Sequence, residues 1–498
     1  MKRQYAKRIG LLFLSAFLYI TTAFTPLTVL AAPTESDYEA QAEERKKLPV
    51  QSNQIINWPD GPAISAHSAI LLEANTGTIL YAKNIHDKMY PASTTKLMTC
   101  LIAAENTKMD EVVNFSHDAV FSIESGSSNI GIDMGQAMPM EECLYGILVA
   151  SANEVANAVA EHVGGSMDAF TAMMNDKAKE LGCENTHFVN AHGLYDDNHY
   201  TSAYDLAVIA KAFFNNELLS KIGNTASYHF QATDTQPDDF ITRNKHKLIT
   251  GEIAYEDIKG GKTGYTDEAR QTLVTCAERN GLKLICVVMM EETPDQFNDT
   301  VKLFDYGFTN FVVTNVSEHE TDYQIKGLEF FHTSYDVFGN SSTLLSLNEN
   351  SYIILPKTVD FTELTSEISY ENLSEREVAR ILYFYQNVPL GMASVHLAEN
   401  TSDNLIPSGD KPLLSTGNPI IQTQADSNTV FINVKLILII IVAVAVVLII
   451  IFVAHAMAAD YKFGDIGHKS KTSNRRKIKK NRDKGPQFPS SRFKDFDF

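Results

Sequence analysis

Apolar residues change their spacing several times along the chain, and each change marks an element. The run 69–72, a turn at Asn75-Thr76-Gly77 and the run 79–81 predict a β-hairpin. Helical spacing follows around 93–105, 140–163, 168–182 and 203–214. Strand patterning returns over 258–291, where the runs 271–275 and 283–288 flank the strong hairpin turn Asn280-Gly281. Strands, then helices, then strands predict one α+β domain over 55–311, its sheet closed by both ends of the segment. Short β-rich runs at 352–355 and 393–397 predict a small mostly-β domain over 319–398. The polar, irregular stretch 32–54 reads as a spacer. Residues 399–430, rich in Ser, Thr, Asn, Asp, Pro and Gly, have the composition of a tether. No internal repeat is present.

Two longer apolar runs concern membranes. Lys2-Arg3 and Lys7-Arg8 precede an apolar run that ends in Ala31-Ala32, an export-signal pattern over 1–31 with cleavage after Ala31. The run 436–454 has nineteen residues and no charge. As a helix it reaches about 28 Å, the thickness of a hydrocarbon core. The basic block Arg475-Arg476-Lys477-Ile478-Lys479-Lys480 follows it, within a tail over 460–498. The positive-inside rule keeps such a tail cytoplasmic. A single-pass protein of the cell membrane, with its folded part extracytoplasmic, is the expected arrangement.

Charge narrows the function classes. The 498 residues carry 42 Lys+Arg and 61 Asp+Glu, a net −19, while the tail from Lys462 is net +8. The stretch 33–461 is therefore near −31, a poor partner for phosphate backbones, and nucleic-acid binding is excluded. Five cysteines, at 100, 143, 183, 276 and 286, are too few and scattered for a disulfide scaffold. A two-residue turn at Asn280-Gly281 sets Cys286 opposite Thr275 and turns Cys276 to the other face, so no disulfide is predicted.

Three short motifs carry chemistry. Ser93-Thr94-Thr95-Lys96 opens an apolar helical stretch, and positions i and i+3 share a helix face. An amine there can sit beside the hydroxyl and activate it, while backbone N–H groups at the helix start can serve an oxyanion. Two further S-x-x-K copies, Ser408–Lys411 and Ser491–Lys494, lie in the tether and the tail. Ser151-Ala152-Asn153 falls at a break between helical runs, where hydroxyl and amide can face one cleft. Lys262-Thr263-Gly264 sits on a strand, with Lys262 and Gly264 on one face and the glycine open to close approach of a ligand. His192, Asp196, Asp197, His199 and Asp205 also form a candidate metal cluster, but no H-E-x-x-H spacing exists.

S-x-x-K, S-x-N 58 residues on and K-T-G another 111 on form an ordered signature. With Tyr90-Pro91-Ala92 before Ser93, Glu154 after Asn153 and Tyr265-Thr266 after Gly264, it resembles the low-molecular-mass penicillin-binding proteins. More narrowly, the chain is similar to the serine-type D-alanyl-D-alanine carboxypeptidases over about 55–311, and more faintly over 319–398. The segments 186–194 and 199–206 are typical of the same group. The resemblance implies a transpeptidase-like α+β fold, neither cofactor nor metal, peptidoglycan stem peptides as substrate and β-lactams as covalent inhibitors. It also implies roles: Ser93 as nucleophile, Lys96 as base, Ser151 as proton relay and Asn153 as substrate-orienting amide. Lys262 and Thr263 would hold the terminal carboxylate, Gly264 would join them in binding substrate, and the N–H groups of Ser93 and Tyr265 would form the oxyanion hole.

The chain departs from the family pattern twice. Ala152 stands where many relatives have Gly, and a spanning helix replaces the common amphipathic anchor. Two other readings stay open: a β-lactamase of the same fold, and a non-catalytic muropeptide-binding protein. The first lacks an E-x-x-L-N match between Ser151 and Lys262, and the second leaves a full set of catalytic-type residues unexplained.

Overall fold

The computed structural model describes residues 34–320, 345–374 and 376–397. Its first nine strands are β1 (Ser68–Glu73), β2 (Ile79–Lys83), β3 (Val112–Asn114), β4 (Ala137–Pro139), β5 (Ser227–Phe230), β6 (Phe240–Arg243), β7 (Ile258–Thr266), β8 (Arg270–Arg279) and β9 (Leu282–Glu291). The order β2-β1-β9-β8-β7 makes an antiparallel five-stranded sheet. The first hairpin thus pairs with the last strand of the segment, Ile70 opposite Val287, so both ends of the segment do close one sheet. Asn280 and Gly281 have φ of 52° and 80°, the positive pair that a tight hairpin turn needs. Thr275 faces Cys286 as the turn requires, and the five cysteines are free.

All six residues of β1 are buried, because the sheet is covered on both faces. Alternation divides its side chains. Ile70, Leu72, Val274 and Val287 enter one apolar cluster, and Leu71, Leu273, Cys286 and Val288 enter the other. The first cluster lies beneath the helices Lys96–Asn106, Asn153–Gly164, Met167–Glu180 and Ala203–Phe214. The second is built with the helix Asp295–Asn310 and with Trp58.

Two expectations are corrected. The stretch read as an irregular spacer contains a helix, Glu35–Arg45, started by a capping box between Thr34 and Asp37. Its apolar face is thin, so periodicity could not reveal it. What holds it is the buried Arg45, whose Nε donates to the Ser65 carbonyl at 2.8 Å. The helical run 140–163 divides at the expected break into Met140–Tyr145, a π-turn Gly146–Ala150 and Asn153–Gly164.

The β-rich region also departs from the expected bounds. Its strands are β10 (Phe311–Asn315), β11 (Leu345–Leu347), β12 (Tyr352–Pro356), β13 (Thr365–Ser369), β14 (Glu377–Tyr385) and β15 (Val388–Leu397). They form a second sheet, β10-β12-β15-β14-β13, with β11 on β15. This sheet begins upstream of residue 319, and Phe311, Ile353 and Tyr383 share their apolar cluster with Trp58 and Phe304. The two sheets therefore share one apolar cluster, and the described residues fall within one compact unit.

The segments 1–31, 399–430, 436–454 and 460–498, read above as export signal, tether, spanning helix and basic tail, lie outside the described residues. Among the described residues no helix is long and apolar enough to cross a membrane.

Candidate active site

The site begins at a tight entry to a helix. Ala92 has φ of 48°, in the left-handed region, and starts a 3-10 turn, Ala92–Thr95, that runs into the helix Lys96–Asn106. The turn puts Ser93 at the cleft surface and Lys96, fully buried, behind it. Lys96 Nζ lies 3.1 Å from Ser93 Oγ, 2.6 Å from Asn153 Oδ1 and 2.6 Å from the His192 carbonyl. Burial, followed by the nearby charges of Lys262 and Lys245, lowers its pKa well below the ordinary lysine value. A neutral amine has two N–H groups and one lone pair. The amide oxygen and the carbonyl can only accept, so they take both N–H groups and leave the lone pair to the Ser93 hydroxyl. Gly193 lets the His192 carbonyl come this close, because a Cβ there would stand 1.9 Å from the Ala92 carbonyl oxygen.

The opposite wall comes from the broken helix. After the π-turn, Ser151 takes a left-handed conformation, with φ of 65° and ψ of 32°. Asn153 then starts the next helix, its N–H donating to the Ser128 carbonyl at 2.8 Å. Glu154 is buried beside it, and its Oε1 accepts the N–H groups of Ile130 at 2.6 Å and Gly131 at 3.2 Å. Together these bonds tie the segment 124–131, one side of the cleft, to the start of the helix.

The floor is β7. Lys262, also buried, donates from Nζ to Ser151 Oγ at 3.0 Å and to the Thr263 carbonyl at 2.8 Å. Burial, and then the charge of Lys245, pushes its pKa down to about 7. Gly264 marks the closest approach of strand and helix. A Cβ there would lie 2.3 Å from Thr272 Oγ1 and 2.9 Å from the Ser93 nitrogen. Ser93, Ser151, Asn153, Thr263, Gly264 and Tyr265 line a cleft of about 610 Å³. The hydrogen bonds above join Ser93 and Lys96 to Asn153, and Ser151 to Lys262, so the seven residues singled out by the three motifs meet in one place, with Tyr265 beside them.

The candidate metal cluster disperses into structural bonds. Val189 N–H donates to His199 Nδ1, so Nε2–H faces Thr95 Oγ1 at 2.8 Å. His192 Nδ1 accepts the Leu194 N–H, and burial holds both rings neutral, their pKa values pushed down to about 3. The Asp205 carboxylate accepts from Asn185 N–H and the Thr186 hydroxyl. No metal-binding group of three or more such side chains occurs among the described residues.

Sequence reasoning missed three contributors: the His192 carbonyl, Glu154 and Lys245. A main-chain acceptor leaves no trace in residue type. Glu154 adjoins a motif but resembles any helix-opening acid. Lys245, whose Nζ donates to Ser128 Oγ at 2.6 Å on the cleft wall, was detectable as a basic residue close before Lys262 in an acidic body.

With this geometry in view, comparisons with known proteins are specific. The family model described as D-alanyl-D-alanine carboxypeptidase matches residues 55–293. D-alanyl-D-alanine carboxypeptidase DacF of Bacillus subtilis is 38% identical over 255 residues, which are 50% of this chain and 64% of that protein. The DacA enzyme of Escherichia coli is 30% identical over 312 residues, 60% of this chain and 73% of that protein. The chain belongs to the D-alanyl-D-alanine carboxypeptidase family. As a family member it has the expected α+β penicillin-binding fold: penicillin binding protein 6B of Escherichia coli superposes with a TM-score of 0.52 at 25% identity, covering 68% of this chain and 98% of that one. The chain thus spans just under two thirds of the Bacillus relative and more than two thirds of the Escherichia one.

Proposed function

We propose that this family member is an extracytoplasmic serine carboxypeptidase that removes the terminal D-alanine from peptidoglycan stem peptides. The observation that carries the reading is the buried Lys96 amine, held by two obligate acceptors with its nitrogen 3.1 Å from the Ser93 hydroxyl. In the first step Lys96 takes the hydroxyl proton as Ser93 Oγ bonds to the penultimate D-alanine carbonyl. Backbone N–H groups of Ser93 and Tyr265 receive the oxyanion, a role supported by the close approach of β7 at Gly264. The C–N bond then breaks, and a proton relayed through Ser151 leaves with the D-alanine amine. Water hydrolyses the ester and regenerates the serine.

Asn153 orients the substrate amide, and Lys262 with Thr263 holds the terminal carboxylate. The buried ammonium suits that task because its own partners are a hydroxyl and a carbonyl, not an acid. A β-lactam presents a strained carbonyl to the same serine and acylates it. The segment 436–454 anchors the protein, with the tail 460–498 in the cytoplasm.

The test is labelling by fluorescent penicillin alongside D-alanine release from a peptide ending in D-Ala-D-Ala. Ser93→Ala loses both while staying folded. Labelling that survives in Ser93→Ala but vanishes in Ser408→Ala overturns the assignment.

A further inference from the structure

The helix Glu35–Arg45 lies outside residues 55–293, the part that the family model matches, yet it reaches the rim of the cleft. We propose that Tyr38 and Arg270 are positioning residues that fix Tyr265 at the mouth of the site, so that this N-terminal helix sets how tightly substrate is held. The inference rests on the reading above, in which Tyr265 sits beside the scissile carbonyl.

Arg270 is the centre of the arrangement. It pairs with Thr266 at the turn leaving β7 and has φ of 53°, which turns its side chain back over the strand end. Its guanidinium is clamped by Glu292, Nε donating to Oε1 at 3.2 Å and Nη2 to Oε2 at 2.7 Å. One face lies 3.7 Å from the centre of the half-buried Tyr38 ring. The remaining nitrogen, Nη1, donates to the Tyr265 hydroxyl at 3.3 Å, and that hydroxyl donates to Asp267 Oδ1 at 2.9 Å. Tyr265 is 49% exposed and lines the cleft, so these two bonds restrict a ring that would otherwise rotate in solvent.

The helix can bear this load because its far end is anchored. Arg45 donates to the Ser65 carbonyl, its own carbonyl accepts Lys83 Nζ at 2.8 Å, and its Nη2 meets Glu292 Oε1 at 3.4 Å. Glu292 is shared by both arginines. The helix and the rim of the cleft are therefore joined through one carboxylate and one aromatic ring. Ordering Tyr265 in advance lowers what substrate must immobilise on binding, without touching the reacting atoms.

The experiment is steady-state D-alanine release by Tyr38→Ala and Tyr38→Phe, each made in wild-type and Tyr265→Phe backgrounds. Tyr38→Ala removes a cation–π contact near the surface and is expected to raise KM about two- to five-fold with kcat unchanged. Tyr38→Phe keeps the ring and behaves as wild type. In the Tyr265→Phe background the Tyr38→Ala effect disappears, because the hydroxyl through which it acts is gone. Unchanged KM in Tyr38→Ala, or an equal rise whether or not Tyr265 has its hydroxyl, overturns the inference alone. A wild-type protein that releases no D-alanine removes the functional reading, and this inference with it.

Discussion

Replacing Lys262 with methionine is expected to make the protein more stable and almost inactive. The pKa of this side chain falls from an ordinary 10.5 to about 7 because burial penalises its charge. Each pH unit of that displacement is worth about 1.4 kcal/mol, so holding the ammonium in the folded state costs about 5 kcal/mol. Methionine has similar length and no charge, and it forfeits the bonds to Ser151 Oγ and the Thr263 carbonyl, together worth about 2 kcal/mol. The net expectation is a gain of about 1–4 kcal/mol, the range seen when apolar side chains replace buried charges.

The pH dependence follows from the direction of the shift. Between about pH 7 and 10.5 the unfolded wild-type chain holds a proton that the folded one has released, so wild-type stability climbs with pH. The advantage of Lys262→Met is therefore full below pH 7 and fades toward pH 10. Urea unfolding at pH 6, 7 and 9 measures it, with D-alanine release assayed in parallel and expected to fall at least 100-fold. A variant less stable than wild type at pH 6, or one that turns over peptide normally, refutes the argument.

Gly264→Ala is expected to slow penicillin acylation about 100-fold and to cost about 1–3 kcal/mol, since the new methyl meets both Thr272 Oγ1 and the Ser93 nitrogen. Near-normal acylation kinetics would mean that β7 can retreat without disturbing the serine. Glu154→Ala leaves the N–H groups of Ile130 and Gly131 without their acceptor and is expected to speed their hydrogen exchange and lower stability by about 1–3 kcal/mol. Unaltered exchange at those two amides would show that the segment 124–131 is held by other means.

The central sheet and most of the site were legible because they depend on local rules. Asn280-Gly281 dictates its turn, and the turn dictates the facing of Thr275 and Cys286. The hydroxyl and amine of Ser93 and Lys96 meet because three residues of helical chain bring them to one side. What the pattern could not show depends on partners distant in sequence. The helix Glu35–Arg45 exists because Arg45 finds Ser65 and Glu292, not because it has an apolar stripe. The boundary placed at 319 failed because Phe311 packs on Trp58, rings 5.2 Å apart, and draws the second sheet into a shared core.

The π-turn at Gly146–Ala150 has a consequence for how the motif around Ser151 is aimed. Such a bulge holds one more residue than an α-helical turn, so it sets the angle at which the helix Met140–Tyr145 hands the chain to Ser151. Removing one of these five small or apolar residues would let the turn close as regular α-helix and change by about 100° the angle at which the chain leaves it for Ser151. Ser151 and Asn153 would then point away from Lys262 and Lys96, although no catalytic residue had been altered. The reading frame of the helix belongs to the chemistry as much as the side chains do, and the spare residue that sets it carries no reactive group.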